Sequence, residues 1–256
     1  MAKEMNKEII ICPYQETDVI KRIICYPRCD IYEFEYRLKQ LKRLSIDFII
    51  SYGPTQIGKI FVLGKGCTSI VVKALRHEMV VALKIRRTDA NRKDLVREAE
   101  ILKIVNRYGV GPRLIDYTPD ILVMEYIEGV EFGEWIERVQ DDQAIKNVLK
   151  KLLEKLYVLD SIGICHLELS NPRKHIVIVE EKPVILDFET VSTKTTKTNI
   201  TQVLNYLIFR KSKISDKVTR TLGLRNIGLL KTLLRKYKKE RTSEIFLEVI
   251  KTLNLS

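Results

Sequence analysis

The order of apolar and polar residues divides the chain into a strand-rich part followed by a helix-rich part. Short apolar runs with β-branched residues and charged ends are typical of β-strands. The predicted strands cover residues 57–63, 69–75 and 79–85. A helix is predicted over 91–108, before a hairpin of strands at 113–117 and 121–127. These elements predict an antiparallel sheet with one helix packed on it.

After residue 128, apolar residues recur mainly at the spacing of amphipathic helices. The exception is a small hairpin, with strands predicted at 175–179 and 183–186. The predicted helices cover residues 132–138, 143–161, 198–209, 226–237 and 242–253.

Residues 1–56 form an extension before the strand-rich part. A short strand is predicted over 9–12 and a helix over 30–44, where Asp30 can accept hydrogen bonds from the first turn. The Gly-Pro pair at 53–54 ends this segment. We expect the extension to pack beside the sheet.

The positive charge is concentrated near the C-terminal end. The chain has 256 residues and a formal net charge of +12, and residues 210–241 contain twelve Lys or Arg against Asp216 and Glu240, or +10. Such a cluster favours an acidic partner such as RNA, DNA or an acidic protein, although a solvated lysine-rich helix face is the alternative. The helix over 226–237 is expected to bury Ile227, Leu230, Leu234 and Tyr237. The cations expected to point outward are Arg225, Lys236, Lys238, Lys239 and Arg241.

The cysteines and the apolar runs favour an intracellular, cytoplasmic protein without a membrane span. Five scattered cysteines do not suggest a disulfide framework, and Cys25 and Cys29 lack a second ligand pair for zinc. Residues 1–7 are polar, and there is no apolar stretch of the about twenty residues that a bilayer span requires.

A glycine-rich turn lies between the first two predicted strands. Gly64 and Gly66 are followed by Ser69, a small residue. Strands on both sides argue against a dinucleotide fingerprint or a Walker loop, because in those motifs a helix follows the glycines. A tight hairpin also favours glycine, so the turn alone is a weak signal.

Lys84 ends an apolar run, Val-Ala-Leu-Lys, in the predicted strand over 79–85, the second strand after this turn. A lysine on such a strand is costly to bury unless its ammonium group meets an anion. Phosphate oxygens would supply one, and Glu98 on the predicted helix would supply another. A surface ion pair is the alternative explanation, and it would contribute little.

Residues 122–129, Leu-Val-Met-Glu-Tyr-Ile-Glu-Gly, form an apolar strand that runs into a polar connector. The order of glycine turn, lysine strand, glutamate helix and this strand resembles the small lobe of the protein-kinase-like superfamily. The resemblance implies ATP as the ligand, with Lys84 and Glu98 positioning its phosphates and Met124 as the gatekeeper. The residues that it implies around the nucleotide are Gly64, Gly66, Ser69, Val71, Ala82, Lys84, Met124, Glu125 and Ile127.

Residues 159–169, Leu-Asp-Ser-Ile-Gly-Ile-Cys-His-Leu-Glu-Leu, resemble the catalytic loop of kinases, with Glu168 where the family has aspartate. Further along, the triplet that begins at Asp187, Asp-Phe-Glu, resembles the metal-binding Asp-Phe-Gly element. The resemblance implies that Glu168 is the base or orienting group. It implies that Asp187 holds Mg²⁺, with Mn²⁺ as an alternative. The family's asparagine falls on Asn171 or His175, and the sequence leaves both open.

A short connector follows Asp187, without the long activation segment or the Ala-Pro-Glu motif of eukaryotic kinases. The chain therefore resembles the small atypical kinases of the RIO type, and an archaeal family of predicted Ser/Thr protein kinases. The resemblance implies an α+β, two-lobed protein-kinase-like fold. Its small lobe would be the antiparallel sheet over 57–127, and its large lobe the mostly helical part over 128–256.

The activity implied by this resemblance is transfer of a phosphoryl group from ATP to a Ser/Thr hydroxyl of a protein, or ATP hydrolysis used as a switch. Glu168 and Glu189 depart from the family's residues. They keep open a second interpretation, a pseudokinase that binds nucleotide or RNA as a non-catalytic scaffold.

Overall fold

The computed structural model describes residues 9–256, which form two units of helices and antiparallel sheets. The first unit contains the described residues up to Asn106 together with Pro112–Tyr126. The second contains Arg107–Gly111 and Ile127–Ser256. Residues 1–8, the start of the expected extension and the polar N-terminal stretch, lie outside the described residues. The expected α+β class is confirmed.

The first unit is built on one antiparallel sheet with strand order β1-β2-β6-β7-β9-β8, and β5 pairs with β6. Its elements in chain order are β1 (Ile9–Ile11), α1 (Asp18–Ile24), α2 (Ile31–Arg43), β2 (Phe48–Ser51), β3 (Thr55–Ile57), β4 (Ile60–Val62), β5 (Gly64–Lys65), β6 (Ser69–Arg76), β7 (Met79–Arg86), α3 (Val96–Asn106), β8 (Leu114–Tyr117) and β9 (Ile121–Glu125).

The N-terminal extension is part of this sheet. Strand β2 pairs with β6, with Phe48 opposite Leu75, and β1 pairs with β2 in turn. Helices α1 and α2 contribute Ile20, Ile23 and Leu41 to the same apolar core as β6 and β7. The extension and the strand that carries Lys84 therefore share one core.

Arg37 on α2 connects the extension to β7. Its side chain is fully buried and donates hydrogen bonds to the main-chain oxygens of Ile24, at 2.7 Å, and Arg86. It also lies 3.7 Å from the buried carboxylate of Asp120. A buried guanidinium needs such partners because its desolvation is costly, so α2 is held at the end of β7, two residues beyond Lys84.

Several elements of the first unit differ from the sequence expectation. The single strand expected over 57–63 is instead the turn and the second strand of a hairpin, β3–β4, because Gly58 adopts φ 61° and turns the chain. The helix expected from residue 91 begins at Val96, whose N–H is accepted by Asp94. Helix α1 was not predicted. It is a short helix of seven residues capped by Thr17.

The second unit is mostly helical, with three small pairings of strands. Its elements in chain order are β10 (Val130–Glu131), α4 (Phe132–Arg138), α5 (Asp142–Ser161), β11 (Cys165–His166), a 3-10 turn (Leu167–Ser170), β12 (Ile176–Val179), β13 (Lys182–Ile185), β14 (Val191–Ser192), α6 (Asn199–Leu204), a π-helical turn (Asn205–Phe209), α7 (Lys213–Thr221), α8 (Ile227–Glu240) and α9 (Ser243–Thr252). Among the described residues, no helix combines the length and the apolar character that crossing a membrane requires.

The second unit also differs from the sequence prediction. Helix α7 was not predicted. It begins at a reciprocal cap between Ser212 and Ser215. On α8, Ile227 is 43% exposed rather than buried, because the face that packs inward runs through Leu230, Leu233, Leu234 and Tyr237. Arg241, expected to point outward, is half-buried and donates to the oxygen of Thr195 at 3.3 Å.

Candidate active-site residues

The Lys84 ammonium group lies 2.8 Å from the Glu98 carboxylate. Strand β7 runs between β6 and β9, so Lys84 is 4% exposed, and Glu98 lies on the buried side of α3 at 3% exposed. The pair is therefore a buried ion pair and not the surface pair that the sequence left open. Each of the two buried charges needs the other as its partner, because a buried charge without compensation is strongly destabilising. Both side chains are therefore held in place.

The glycine-rich turn is a hairpin between β5 and β6. Gly64 pairs with Val71, and the Gly66 N–H donates to the Ser69 oxygen at 2.9 Å. Neither Gly64 nor Gly66 has a positive φ, so the backbone conformation does not require glycine at either position. A Cβ atom at Gly64 would meet nothing within 4 Å, and one at Gly66 would meet only the Ser69 oxygen at 3.6 Å. The missing side chains leave the backbone of this turn open to a ligand.

The other residues expected around the nucleotide occupy three neighbouring strands of the first unit, with one exception. Val71 on β6 is opposite Lys84 on β7, and Ala82 on β7 is opposite Met124 on β9. Ala82 and Met124 are buried, and Glu125 is exposed at the end of β9. Ile127 is the exception because it belongs to the second unit.

In the second unit, His166 organises the loop that carries Glu168. Its Nδ1 accepts the Glu168 N–H at 3.3 Å, and its Nε2 lies 3.0 Å from the Leu186 oxygen. These contacts assign the proton to Nε2, and both ring nitrogens are then used by the protein. His166 thus connects the Glu168 loop to the residue before Asp187.

The β12–β13 hairpin places His175 beside Asp187. The Leu186 N–H donates to the His175 oxygen at 2.8 Å, so the residues that flank the hairpin are paired. His175 Nδ1 lies 4.0 Å from an Asp187 carboxylate oxygen and 3.9 Å from one of Glu168. Asn171 is exposed at the end of the 3-10 turn. Of the two candidates that the sequence left open, His175 therefore has a side chain that approaches both carboxylates.

Asp160, near the end of α5, supports this loop and was not singled out from the sequence. Its carboxylate accepts hydrogen bonds from the Asn199 N–H at 2.7 Å, the Asn199 amide at 2.8 Å, the Ile200 N–H at 3.2 Å and the Tyr237 hydroxyl at 3.1 Å. Asn199 in turn accepts the His166 N–H at 2.8 Å. Burial raises the pKa of Asp160 to about 6 in spite of these donors. An acidic residue in the last turn of a helix is unfavourable, and that was the available sequence signal.

We expect the ring of His166 to stay neutral down to about pH 5. Burial lowers its pKa from 6.5 to about 4, with smaller effects from Leu186, His175 and Asp187. Below pH 6.5 His166 is protonated in the unfolded chain but stays neutral in the folded chain. The free energy of unfolding therefore falls as the pH falls. The stability difference between wild type and His166→Gln should shrink by about 2 kcal/mol from pH 7.5 to pH 5. Urea unfolding at both pH values would measure it, and ring resonances that titrate near pH 6.5 would contradict it.

Comparison with known proteins identifies a shared region. The model of the RIO domain matches residues 71–207, which is more than half of the chain. The matched region contains Lys84, Glu98, Glu168 and Asp187. An uncharacterized protein of Methanocaldococcus jannaschii is 30% identical over 118 residues, a stretch that makes up 45% of this chain and 99% of that relative. The predicted resemblance to small atypical kinases is thus confirmed.

Proposed function

The chain belongs to the RIO domain family of protein-kinase-like proteins, and on that premise we propose that it binds ATP and transfers its terminal phosphoryl group to a Ser/Thr hydroxyl. Lys84 and Glu98 would position the phosphates, and Asp187 would hold the divalent metal. Glu168 would orient the attacking hydroxyl or accept its proton. ATP hydrolysis used as a switch would need the same residues.

The observation that carries the proposal is the buried pair of Lys84 and Glu98. A lysine that is 4% exposed and 2.8 Å from a buried carboxylate has a fixed position. Together with the glycine turn, whose backbone Gly64 and Gly66 leave uncovered, it gives the first unit a cation and a backbone that phosphate oxygens can approach. A purely structural role for the pair is less economical, because apolar residues of similar volume would serve stability equally well.

The residues of the second unit fit a divalent metal. Asp187 is 39% exposed, so its carboxylate is accessible, and carboxylates are the protein ligands that Mg²⁺ favours. A bound metal ion would neutralise the charge that develops on the phosphate oxygens. Glu168 is 40% exposed and close to the same imidazole as Asp187, so it is accessible to a hydroxyl group.

ATP with Mg²⁺ should raise the melting temperature of the wild-type chain, because a ligand that binds only the folded state stabilises it; the gain is about 2.7 kcal/mol at 100 times Kd. Thermal unfolding with and without millimolar ATP measures the shift. The matched variant is the double replacement of Lys84→Met and Glu98→Gln, since removing the lysine alone would bury an uncompensated carboxylate. An equal shift in wild type and double variant, or no shift in wild type, would contradict the proposed binding.

A second candidate function, RNA contact through residues 210–241, is favoured by the surface of this segment. Ten of its twelve cations are exposed, and Lys217 and Arg241 are the half-buried ones. A groove of about 620 Å³ on this surface is lined by Phe209, Leu224, Ile227, Lys211, Arg220 and Arg225, among others. Apolar and aromatic groups suit bases, and the surrounding cations suit phosphates.

Replacing Lys236, Lys238 and Lys239 by Gln should weaken RNA binding and reduce its salt dependence. Each lost phosphate contact lowers the slope of log K against log salt by about 1. Electrophoretic shift of a structured RNA at several salt concentrations measures both effects. The charge-matched control replaces the exposed lysines Lys182, Lys194 and Lys251, which lie outside the segment. If both triple variants behave alike, the segment has no specific role in RNA binding.

A further inference from the structure

His175 is held beside Asp187 by the register of the β12–β13 hairpin. Ile176 pairs with Ile185, and the next pair outward is His175 with Leu186, whose N–H donates to the His175 oxygen at 2.8 Å. Asp187 follows Leu186 directly. The position of the imidazole beside the carboxylate is therefore set by backbone pairing and does not depend on a flexible loop.

The distances around His175 Nδ1 suit a shared metal ion. The Asp187 oxygen is 4.0 Å away and the Glu168 oxygen is 3.9 Å away. Two ligand atoms bound to one metal at about 2.1 Å each can be at most about 4.2 Å apart. Both separations lie within this limit, and all three side chains are partly exposed. A metal ion can therefore enter between the ring nitrogen and a carboxylate with small side-chain movements.

The neighbouring His166 completes a group of possible metal ligands with Glu168 and His175, all within 4.8 Å, but its own role is different. Both of its ring nitrogens are occupied by main-chain groups. Its ring meets that of His175 edge to face, with 5.5 Å between centroids. His166 is therefore a positioning residue, and His175 is the imidazole that remains for a metal.

We propose that His175 and Asp187 together bind a divalent transition metal, such as Mn²⁺, Co²⁺ or Zn²⁺, in preference to Mg²⁺. Imidazole nitrogen suits these ions, and affinity rises from Mn²⁺ towards Co²⁺ and beyond, whereas Mg²⁺ selects oxygen ligands. The inference rests on the proposed function only in placing the metal at Asp187. The imidazole of His175 would determine which class of metal ion binds, and therefore which ion supports phosphoryl transfer.

The test measures metal binding to the full chain without nucleotide. Co²⁺ is followed by its visible absorption and Mg²⁺ by calorimetry, at one pH and salt concentration. We expect Co²⁺ to bind wild type at least about 10-fold more tightly than Mg²⁺. His175→Asn should weaken Co²⁺ binding by about 10-fold or more and leave Mg²⁺ binding within about 3-fold. The control is His77→Asn, in an exposed turn of the first unit where φ is 48°, a conformation that asparagine tolerates.

A second readout identifies the residue directly. The chain has three histidines, so each ring can be assigned by comparison of the wild type with the single variants. Substoichiometric Mn²⁺ should broaden the ring signals of His175 before those of His77. Binding to the exposed Cys29 or Cys67 would instead give intense near-ultraviolet thiolate bands.

Co²⁺ binding that is equal in wild type and His175→Asn, or no preference for Co²⁺ over Mg²⁺ in wild type, overturns the inference. Circular dichroism of the variants confirms that the fold is retained. ATP-induced stabilisation is measured separately. If it persists while metal binding ignores His175, the inference fails and the proposed function stands; if metal binding depends on His175 but ATP does not bind, the proposed function fails alone.

Discussion

Replacing Asp187 by Asn should lower ATP turnover by about 100- to 1000-fold, because the variant loses the negative charge that holds the metal. The fold should survive. Asp187 adopts φ 66°, a left-handed conformation that Asn tolerates well, and the side chain is 39% exposed. ADP formation under single-turnover conditions would measure the effect, because both phosphoryl transfer and hydrolysis produce it, with Mg²⁺ and Mn²⁺ compared.

The matched control is Asp216→Asn, an exposed aspartate on α7 in the same unit. It removes the same charge at a place without a proposed role in ATP turnover, so its turnover should equal that of wild type. Equal turnover in Asp187→Asn would remove Asp187 from the mechanism. A wild-type chain that binds ATP but turns nothing over in either metal supports the non-catalytic scaffold instead.

Replacing Asp160 by Ala should reduce the free energy of unfolding by about 3–5 kcal/mol. The change leaves the Asn199 N–H, the Asn199 amide, the Ile200 N–H and the Tyr237 hydroxyl without their shared acceptor in a buried place. Urea unfolding measures the loss. Tyr237→Phe removes only one donor and should cost about 1 kcal/mol. If Asp160→Ala loses no more stability than Tyr237→Phe, water has taken the place of the carboxylate.

Asp160→Ala should also change how the free energy of unfolding depends on pH. The folded pKa of Asp160 is about 6 against an ordinary 3.8, so the stability that it contributes is full below pH 3.8 and is lost as the pH rises to 6. His166 acts with the opposite sign, because its folded pKa is lowered and stability rises with pH between about 4 and 6.5. Without Asp160 the effect of His166 is unopposed. Asp160→Ala should therefore gain stability more steeply than wild type from pH 4 to pH 6.

Local patterns were sufficient for the elements that bring Lys84 and Glu98 together. The strand over 79–85 is β7, one residue longer, because its apolar run is long and β-branched. The face of α3 that carries Ala99, Leu102 and Val105 is buried as its spacing indicates, and so is Leu95 just before the helix. The pairing of the lysine strand with a helical glutamate follows from these two elements.

The roles of residues whose partners lie far away along the chain could not be predicted from the sequence. Arg37 is indistinguishable from a solvent-facing arginine on an amphipathic helix, yet its partners lie on β7 and in the turn before β9. Asp160 meets Tyr237 across 77 positions of the chain. The approach of His175 to Asp187 depends on the register of one hairpin, which is set by pairing and not by composition.

The place of β2 in the sheet has a practical consequence for choosing expression boundaries. The region matched by the family begins at residue 71, but β6 pairs with Phe48, Ile49 and Ile50 of β2. A chain cut at residue 57 would turn β6 into an edge strand with unpaired main-chain groups, and an open edge invites self-association. The cut would also remove Arg37, and it would expose the apolar side chains of the sheet that α1 and α2 cover. A piece that keeps this edge covered should therefore retain β2 and both N-terminal helices.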